Sequence, residues 1–427
     1  MRFAQEPWSS KEYRRADAFR GAFIYVVRYA MLWYMKSAHK KILIIGGGFG
    51  GITCARALAR ERIASLEVTL VSDRPHFEYT PALYRVVSGR SPLGVCIRLS
   101  EIFERTGIRI VTDRIIGVDS AKRLATGSAG ATYAFDYVVL ALGSETAYFD
   151  IPGLEEFSFG IKSIAQAERL QRHLRELFKV CVSTPGDTAE DVCRAHIVVV
   201  GGGASGVEIA GELAWYTKKL AGQFGMNPAL VTMDLVEAAA RILPMLPVGA
   251  MEKIAKRLRD LGVNIFTNRP MEKEGVQEVR VRGMKIKTDT VVWTAGVKPH
   301  ALYKEIKGLA FDAKGRVLVD EFLQAAGMEG VYVIGDGAAT PYTGMAQTAL
   351  FDGRFVALHL VRMMTGARTP PYKFRKPYHA IPVGPEWACA LLGPLLVCGR
   401  LGWMLRRLAD LRYFCSLLPW RRACALF

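Results

Sequence analysis

From residue 40 onward the apolar positions fall in short β-branched runs separated by stretches of helical spacing, the pattern of parallel strands joined by crossover helices. "KILIIG" leads through a glycine-rich turn into "ITCARALARER" and then "EVTLVSD", which together predict one βαβ unit. The layout returns about 155 residues later as "HIVVVG", a second glycine-rich turn, the helix "VEIAGELAWYTKKLA" and the strand "VTMDLVE". That separation is the size of one domain. A third apolar run, "VYVI", ends at Gly335 and Asp336, and a helix is predicted from about Gln347.

Pro152 and Gly153, after "YAFDYVVLALGSETAYFDI", and Pro299, after "DTVVWTAGVK", mark the places where the chain crosses between units. The expected fold class is α/β, with two Rossmann-like dinucleotide-binding domains and a C-terminal amphipathic helical region. The first domain spans 39–150 and 299–371, the second is inserted at 151–298, and the C-terminal region is 372–427. "TPGDTAEDVC" reads as a surface insertion. Residues 1–38 form a basic, apolar extension whose run "FRGAFIYVVRYAMLWYMKSAHKK" is broken by Arg28. It reads as an amphipathic surface helix, a poor signal-like segment without a small-residue cleavage site, or sequence upstream of a start at Met35. On a helix after Pro377, Leu401, Met404, Leu405, Leu408, Leu411 and Cys415 share one face. Arg406, Arg407 and Asp410 lie opposite, and Arg412 intrudes on the apolar side. Trp403 and Trp420 suit headgroup depth at an interface, and a helix docked on its own protein or a dimer partner is the alternative.

At 427 residues the chain exceeds one ordinary core, and 51% hydrophobic residues make it globular. No uninterrupted apolar run is long enough to predict a transmembrane helix. The net charge of +17 is concentrated at the ends: nine basic residues against three acids in 1–41, and nine against two in 372–427. Basic ends interleaved with Trp, Leu and Phe suit an anionic membrane surface better than a nucleic acid. The eight cysteines carry neither a CxxC pair nor zinc-type spacing, and read as small hydrophobes in a reducing compartment.

"GGGFGG" places Gly46, Gly48 and Gly51 in G-x-G-x-x-G spacing between a strand and a helix, with Asp73 following as the ribose acid. "GGGASG" repeats it at Gly201, Gly203 and Gly206, and Glu237 at the end of the next strand favours NADH over NADPH, with Arg241 near enough to soften that preference. Glu208 either pairs with its helix dipole or contacts the nicotinamide end. Asp336 at a third strand end suits a hydroxylated cofactor chain, and the helix behind it would aim its positive end at a flavin.

Together these motifs resemble the type II NADH dehydrogenases, the non-proton-pumping NADH:quinone reductases among the flavoproteins with two dinucleotide-binding domains. "GGGFGG", "HFEYTPALYRVVSG", "VVLALGS", "GGGASGVEIAGELA", "VVWTAGVKP", "VYVIGDGAA" and "MAQTALFDG" stand in the family's order across residues 40–425. The resemblance implies FAD at the first turn, with Phe49, Gly50, Arg74, His76, Pro81, Ala141, Gly143, Gly335, Asp336, Ala346 and Gln347 around it. It implies NADH at the second turn, with Trp293 to Gly296, Ala295 and Gly296 among them, at the crossover beside the flavin. It also implies a lipid quinone as acceptor near Gln347 and Phe351, and a peripheral place on the cytoplasmic face of the cell membrane. A homodimer is left open. Phe351 stands where the family has a second Gln, and it could stack on a quinone or fill core. Sulfide:quinone reductases are related and use cysteines near the flavin, and a redox-dependent binding or scaffold flavoprotein is the reading from another class.

Overall fold

The computed structural model describes residues 39–183 and 195–427, so the expectations for the N-terminal extension and for "TPGDTAEDVC" lie outside the described residues. The first sheet has five parallel strands in the order Val331–Val333, Tyr137–Leu140, Lys40–Ile45, Leu66–Ser72, Arg109–Thr112. Alternation decides its two faces. Ile42 and Ile44 enter the main core beneath helix Phe49–Arg60, while Leu43 and Ile45 pack against the antiparallel sheet of residues 115–134. Helix Ala346–Thr365 lies against helix Phe49–Arg60, and Gly353 lets the two backbones meet where any Cβ would strike the Gly50 carbonyl.

The second sheet repeats the design with four parallel strands in the order Val263–Phe266, Thr232–Val236, His196–Val200, Thr290–Trp293. Ser144–Thr146 and Val297–Pro299 pair antiparallel, so the outgoing and returning chains form a two-stranded ribbon between the sheets. Strand Val331–Val333 then returns to the edge of the first sheet beside Tyr137–Leu140.

A three-stranded antiparallel sheet, His379–Pro382, Ala388–Leu392 and Leu395–Gly399, carries the chain into helices Arg400–Leu417 and Trp420–Leu426. Among the described residues, no helix is long and apolar enough to cross a membrane. One cysteine expectation is corrected here. Cys389 and Cys398 are register partners on neighbouring strands and form a disulfide, because facing positions of an antiparallel ladder bring two Cβ atoms within bonding reach.

Candidate functional site

Both glycine turns are built alike. Gly46 and Gly201 sit at φ values of +118° and +111°, which a side chain strains to adopt, and each donates its N–H to the next strand, at Val71 and Val236. Gly51 and Gly206 lie where a Cβ would overlap the Gly46 and Gly201 carbonyls, so helix and strand close tightly. Gly48 and Gly203 differ: a Cβ there would meet no atom within 4 Å. They cap helices Phe49–Arg60 and Ala204–Gln223, neither of which has a side-chain cap or an acid in its first turn. Each turn therefore presents free helix N–H groups to an open space, the requirement for a pyrophosphate.

The acids after the second strands are not equivalent. Glu237 Oε2 accepts from Gly202 N at 2.5 Å and Oε1 from Ala239 N at 2.7 Å, which fixes the carboxylate at the turn. Since Gly46 bonds Val71 as Gly201 bonds Val236, Ser72 takes the position of Glu237, and a Cβ on Gly47 would meet its Oγ. Asp73 lies one residue further along and is exposed, held to Arg74 at 3.5 Å. Arg74 in turn pairs with Glu78 at 2.9 Å, and Glu78 also contacts His76 and accepts from Ile164 N.

The Gly335–Asp336 turn is held from two sides. Gly335 N donates to Asp352 Oδ2 at 3.0 Å, and Asp352 Oδ1 accepts from Tyr372 O–H at 2.6 Å. Asp352 is fully buried, and burial pushes its carboxyl up to about 6. On the other side Ser144 O–H donates to Asp336 Oδ2 at 2.6 Å, and Lys162 Nζ donates to Ser144 Oγ at 2.8 Å. Ala141 sits against the first glycine turn, its carbonyl blocking any Cβ on Gly46, and Gly143 takes φ +70° between Ala141 and Ser144. Ala295 packs on Gly201 and Gly296 on Ala147 and Phe149, so both stand at the ribbon between the two units.

On the far side of helix Ala346–Thr365, Gln347 exchanges hydrogen bonds with the Tyr378 backbone, accepting at 3.0 Å and donating at 3.4 Å. Phe351 is half-buried with the Arg375 guanidinium 5.6 Å from its ring centre, so one ring face is covered by a cation. Glu208 is partly accessible yet deep among protein atoms. Burial pushes its carboxyl up to about 7, opposed by Arg406 and Arg85 and reinforced by Asp410. Those partners come from the C-terminal helix and the segment after Pro81. Asp410 is fully buried and accepts from Tyr79 O–H at 2.6 Å, from Arg85 at 2.8 Å and from Arg406. Arg406 also donates to the Pro81 carbonyl at 2.9 Å. The charged face expected to lie opposite the apolar one is thus turned inward, while Leu401, Met404 and Leu408 remain exposed.

A family model described as pyridine nucleotide-disulphide oxidoreductase matches residues 40–353. The chain belongs to this family. Among curated proteins it is 27% identical to the type II NADH:quinone oxidoreductase of Staphylococcus epidermidis over 355 residues, 80% of this chain and 86% of that one. The Staphylococcus aureus protein of the same name is equally similar, 27% over 355 residues with the same coverage. Among solved structures, NDH2 from Plasmodium falciparum in complex with NADH superposes with a TM-score of 0.81 at 17% identity, covering 91% of this chain and 97% of that one. The sulfide:quinone oxidoreductase of Aquifex aeolicus gives 0.73 at 19% identity, covering 88% and 90%. Both superpositions establish the shared fold.

Within this family fold, the donor set fits a dinucleotide at each turn: an open cradle, uncapped helix N–H groups, and an oriented carboxylate at Asp336 or Glu237. Sequence reasoning missed Ser144, Lys162, Asp352 and Tyr372. Lys162 stands in "FGIKSIAQ" with no motif around it, and the Asp336 carboxylate it reaches through Ser144 is 174 positions away. Asp352 alone carried a signal, as an acid inside the otherwise uncharged run "TALFDG".

Proposed function

We propose that this chain is an FAD-dependent NADH:quinone reductase that does not pump protons. The observation that carries the reading is the pair of open glycine cradles in one chain, joined by the ribbon of Ser144–Thr146 and Val297–Pro299. FAD would be held by the Gly46–Gly51 turn, Ala141, Gly143 and Asp336, and NADH by the Gly201–Gly206 turn, Glu237, Ala295 and Gly296. Glu237 already accepts two backbone N–H groups, and its charge would repel a 2′-phosphate, which favours NADH. Bound FAD supplies the carrier chemistry between a hydride donor and a quinone.

The chain's own residues supply orientation, field and protons. Gln347 and Phe351 would border the acceptor, with Arg375 covering one face of the ring. Glu208, with its carboxyl pushed up to about 7, can hold or release a proton at neutral pH, which suits an acceptor that takes up protons on reduction. The proposed division into 39–150 with 299–371, an inserted 151–298 and a C-terminal 372–427 follows the two sheets and the ribbon. The exposed Leu401, Met404, Leu408 and Trp420 support a peripheral seat on a membrane, where a lipid quinone is within reach, and the face proposed for it is the cytoplasmic one. A sulfide donor is disfavoured at Cys54, the cysteine of the first glycine-turn helix, because burial pushes its thiol up to about 12.

Steady-state NADH oxidation with FAD and a short-chain quinone tests the reading. Quinone-dependent turnover supports it; slow oxidation by oxygen that no quinone accelerates overturns it in favour of a redox-dependent binding protein.

A further inference from the structure

Lys162 follows the chain crossing and precedes helix Ile164–Ser183, so it belongs to the second unit, yet its ammonium reaches into the first. Nζ lies 2.8 Å from Ser144 Oγ and 3.0 Å from the Ser144 carbonyl, and Ser144 Oγ lies 2.6 Å from Asp336 Oδ2. Chemistry fixes the direction of each bond. An ammonium has no lone pair, so the hydroxyl accepts from Lys162 and gives its own hydrogen to the carboxylate. The result is a cation, a dipole and an anion in series, spanning both units.

A cation half-buried at a crossing is costly to desolvate, and that cost lowers the affinity of Lys162 for its proton, against the pull of Asp336 and Glu145. Holding the fold together does not require a charge here, since burying a well-packed apolar side chain would serve as well. Two of the three ammonium hydrogens are directed to Ser144, which leaves a third donor at the turn that ends in Asp336.

We propose that Lys162 is a positioning residue of the flavin site: through Ser144 it fixes the Asp336 carboxylate for the ribityl chain, and its positive charge raises the flavin's midpoint potential. The proposal rests on the reading that FAD occupies the first unit. A cation near a reducible ring favours the negative charge that the reduced ring carries, and it acts more strongly where water is excluded.

The test uses full-length Lys162→Met, Lys162→Arg and Ser144→Ala proteins, stripped of flavin, titrated with FAD, and then poised by spectroelectrochemistry at neutral pH. Lys162→Met is expected to bind FAD about tenfold more weakly, the scale of one charge-assisted hydrogen bond. Its midpoint potential is expected to fall, by about 30 mV for each tenfold loss of preference for reduced over oxidised flavin in a two-electron couple. Lys162→Arg should keep the wild-type potential, and Ser144→Ala, which leaves the charge in place, should weaken FAD binding while keeping most of the potential. An unchanged potential in Lys162→Met overturns the proposal whatever happens to its melting temperature, because a merely structural lysine would change stability alone. No quinone or NADH enters these measurements, so loss of the acceptor assignment leaves this test standing. Failure of the wild-type chain to take up FAD would instead remove the reading beneath it.

Discussion

Glu274 is 3% exposed, and its Oε2 has no hydrogen-bond partner, so burial pushes its carboxyl up to about 8 from an ordinary value of 4.5. The folded chain therefore holds a proton that the unfolded chain releases. The stability tied to it is complete below 4.5 and is lost as pH rises through about 8. Glu208 and Asp352 move in the same direction, to about 7 and about 6, so stability is expected to decline across the whole neutral range. Glu274→Gln keeps the shape and removes the charge. Urea denaturation should find it close to wild type below pH 4.5 and increasingly more stable as pH rises toward about 8, by about 2 kcal/mol there, the scale of an unpartnered buried charge. Equal stability at both pH values would refute the assignment. The residues that a sequence exposes best are those whose role restricts their type locally: Gly46 and Gly201 need positive φ, so their spacing is visible. Glu274 is not visible in this way, because only the tertiary fold takes it out of water. Ser72 and Asp73 show the limit of local reasoning, since a one-residue difference in strand register decides which of them faces the turn.

The helix Arg400–Leu417 uses two faces for two tasks. Its inward face carries Arg406, Asp410, Phe414 and Leu417, and Tyr413 reaches Phe49 of the first glycine turn at 5.2 Å between ring centres. Its outward face leaves Leu401, Met404 and Leu408 each more than half exposed, an apolar stripe without cover among the described residues. The helical period made the two faces legible. That the charged face turns inward was not, because buried ion pairs invert the usual rule that charge faces water, and the tyrosine and arginine that bind Asp410, Tyr79 and Arg85, come from distant segments. Replacing Leu401, Met404 and Leu408 together by Glu should shift the protein from anionic vesicles to the supernatant. About 3 kcal/mol of apolar burial, or roughly a hundredfold in partition, is lost. NADH oxidation with a soluble acceptor such as ferricyanide should stay at its wild-type rate. Sedimentation of the triple variant with vesicles to the wild-type extent would place the membrane contact elsewhere.

Across the whole molecule, one βαβ design appears twice, and this duplication was legible because each copy is local: strand, turn, helix and strand lie within about 40 residues. How the copies face one another depends on the ribbon of Ser144–Thr146 with Val297–Pro299, a pairing of segments about 150 residues apart that local periodicity does not encode. The duplication makes the two cradles separable by experiment. Gly48 and Gly203 have φ and ψ of −90°, −166° and −72°, −175°, which any residue adopts, and a Cβ at either meets nothing within 4 Å. Valine there fits the protein but fills the space that a pyrophosphate needs, so each variant should melt near the wild-type temperature in the absence of cofactors. Gly46→Val and Gly201→Val, which force a branched side chain to positive φ against backbone, should instead unfold early. Gly48→Val should purify folded and without flavin absorbance. Gly203→Val should purify yellow, with a flavin that dithionite bleaches but NADH does not, its affinity for NADH weakened about a hundredfold, or about 3 kcal/mol. Exchange of the two phenotypes would reverse which unit holds which cofactor, and ordinary bleaching of Gly203→Val by NADH would remove the second turn from hydride delivery altogether.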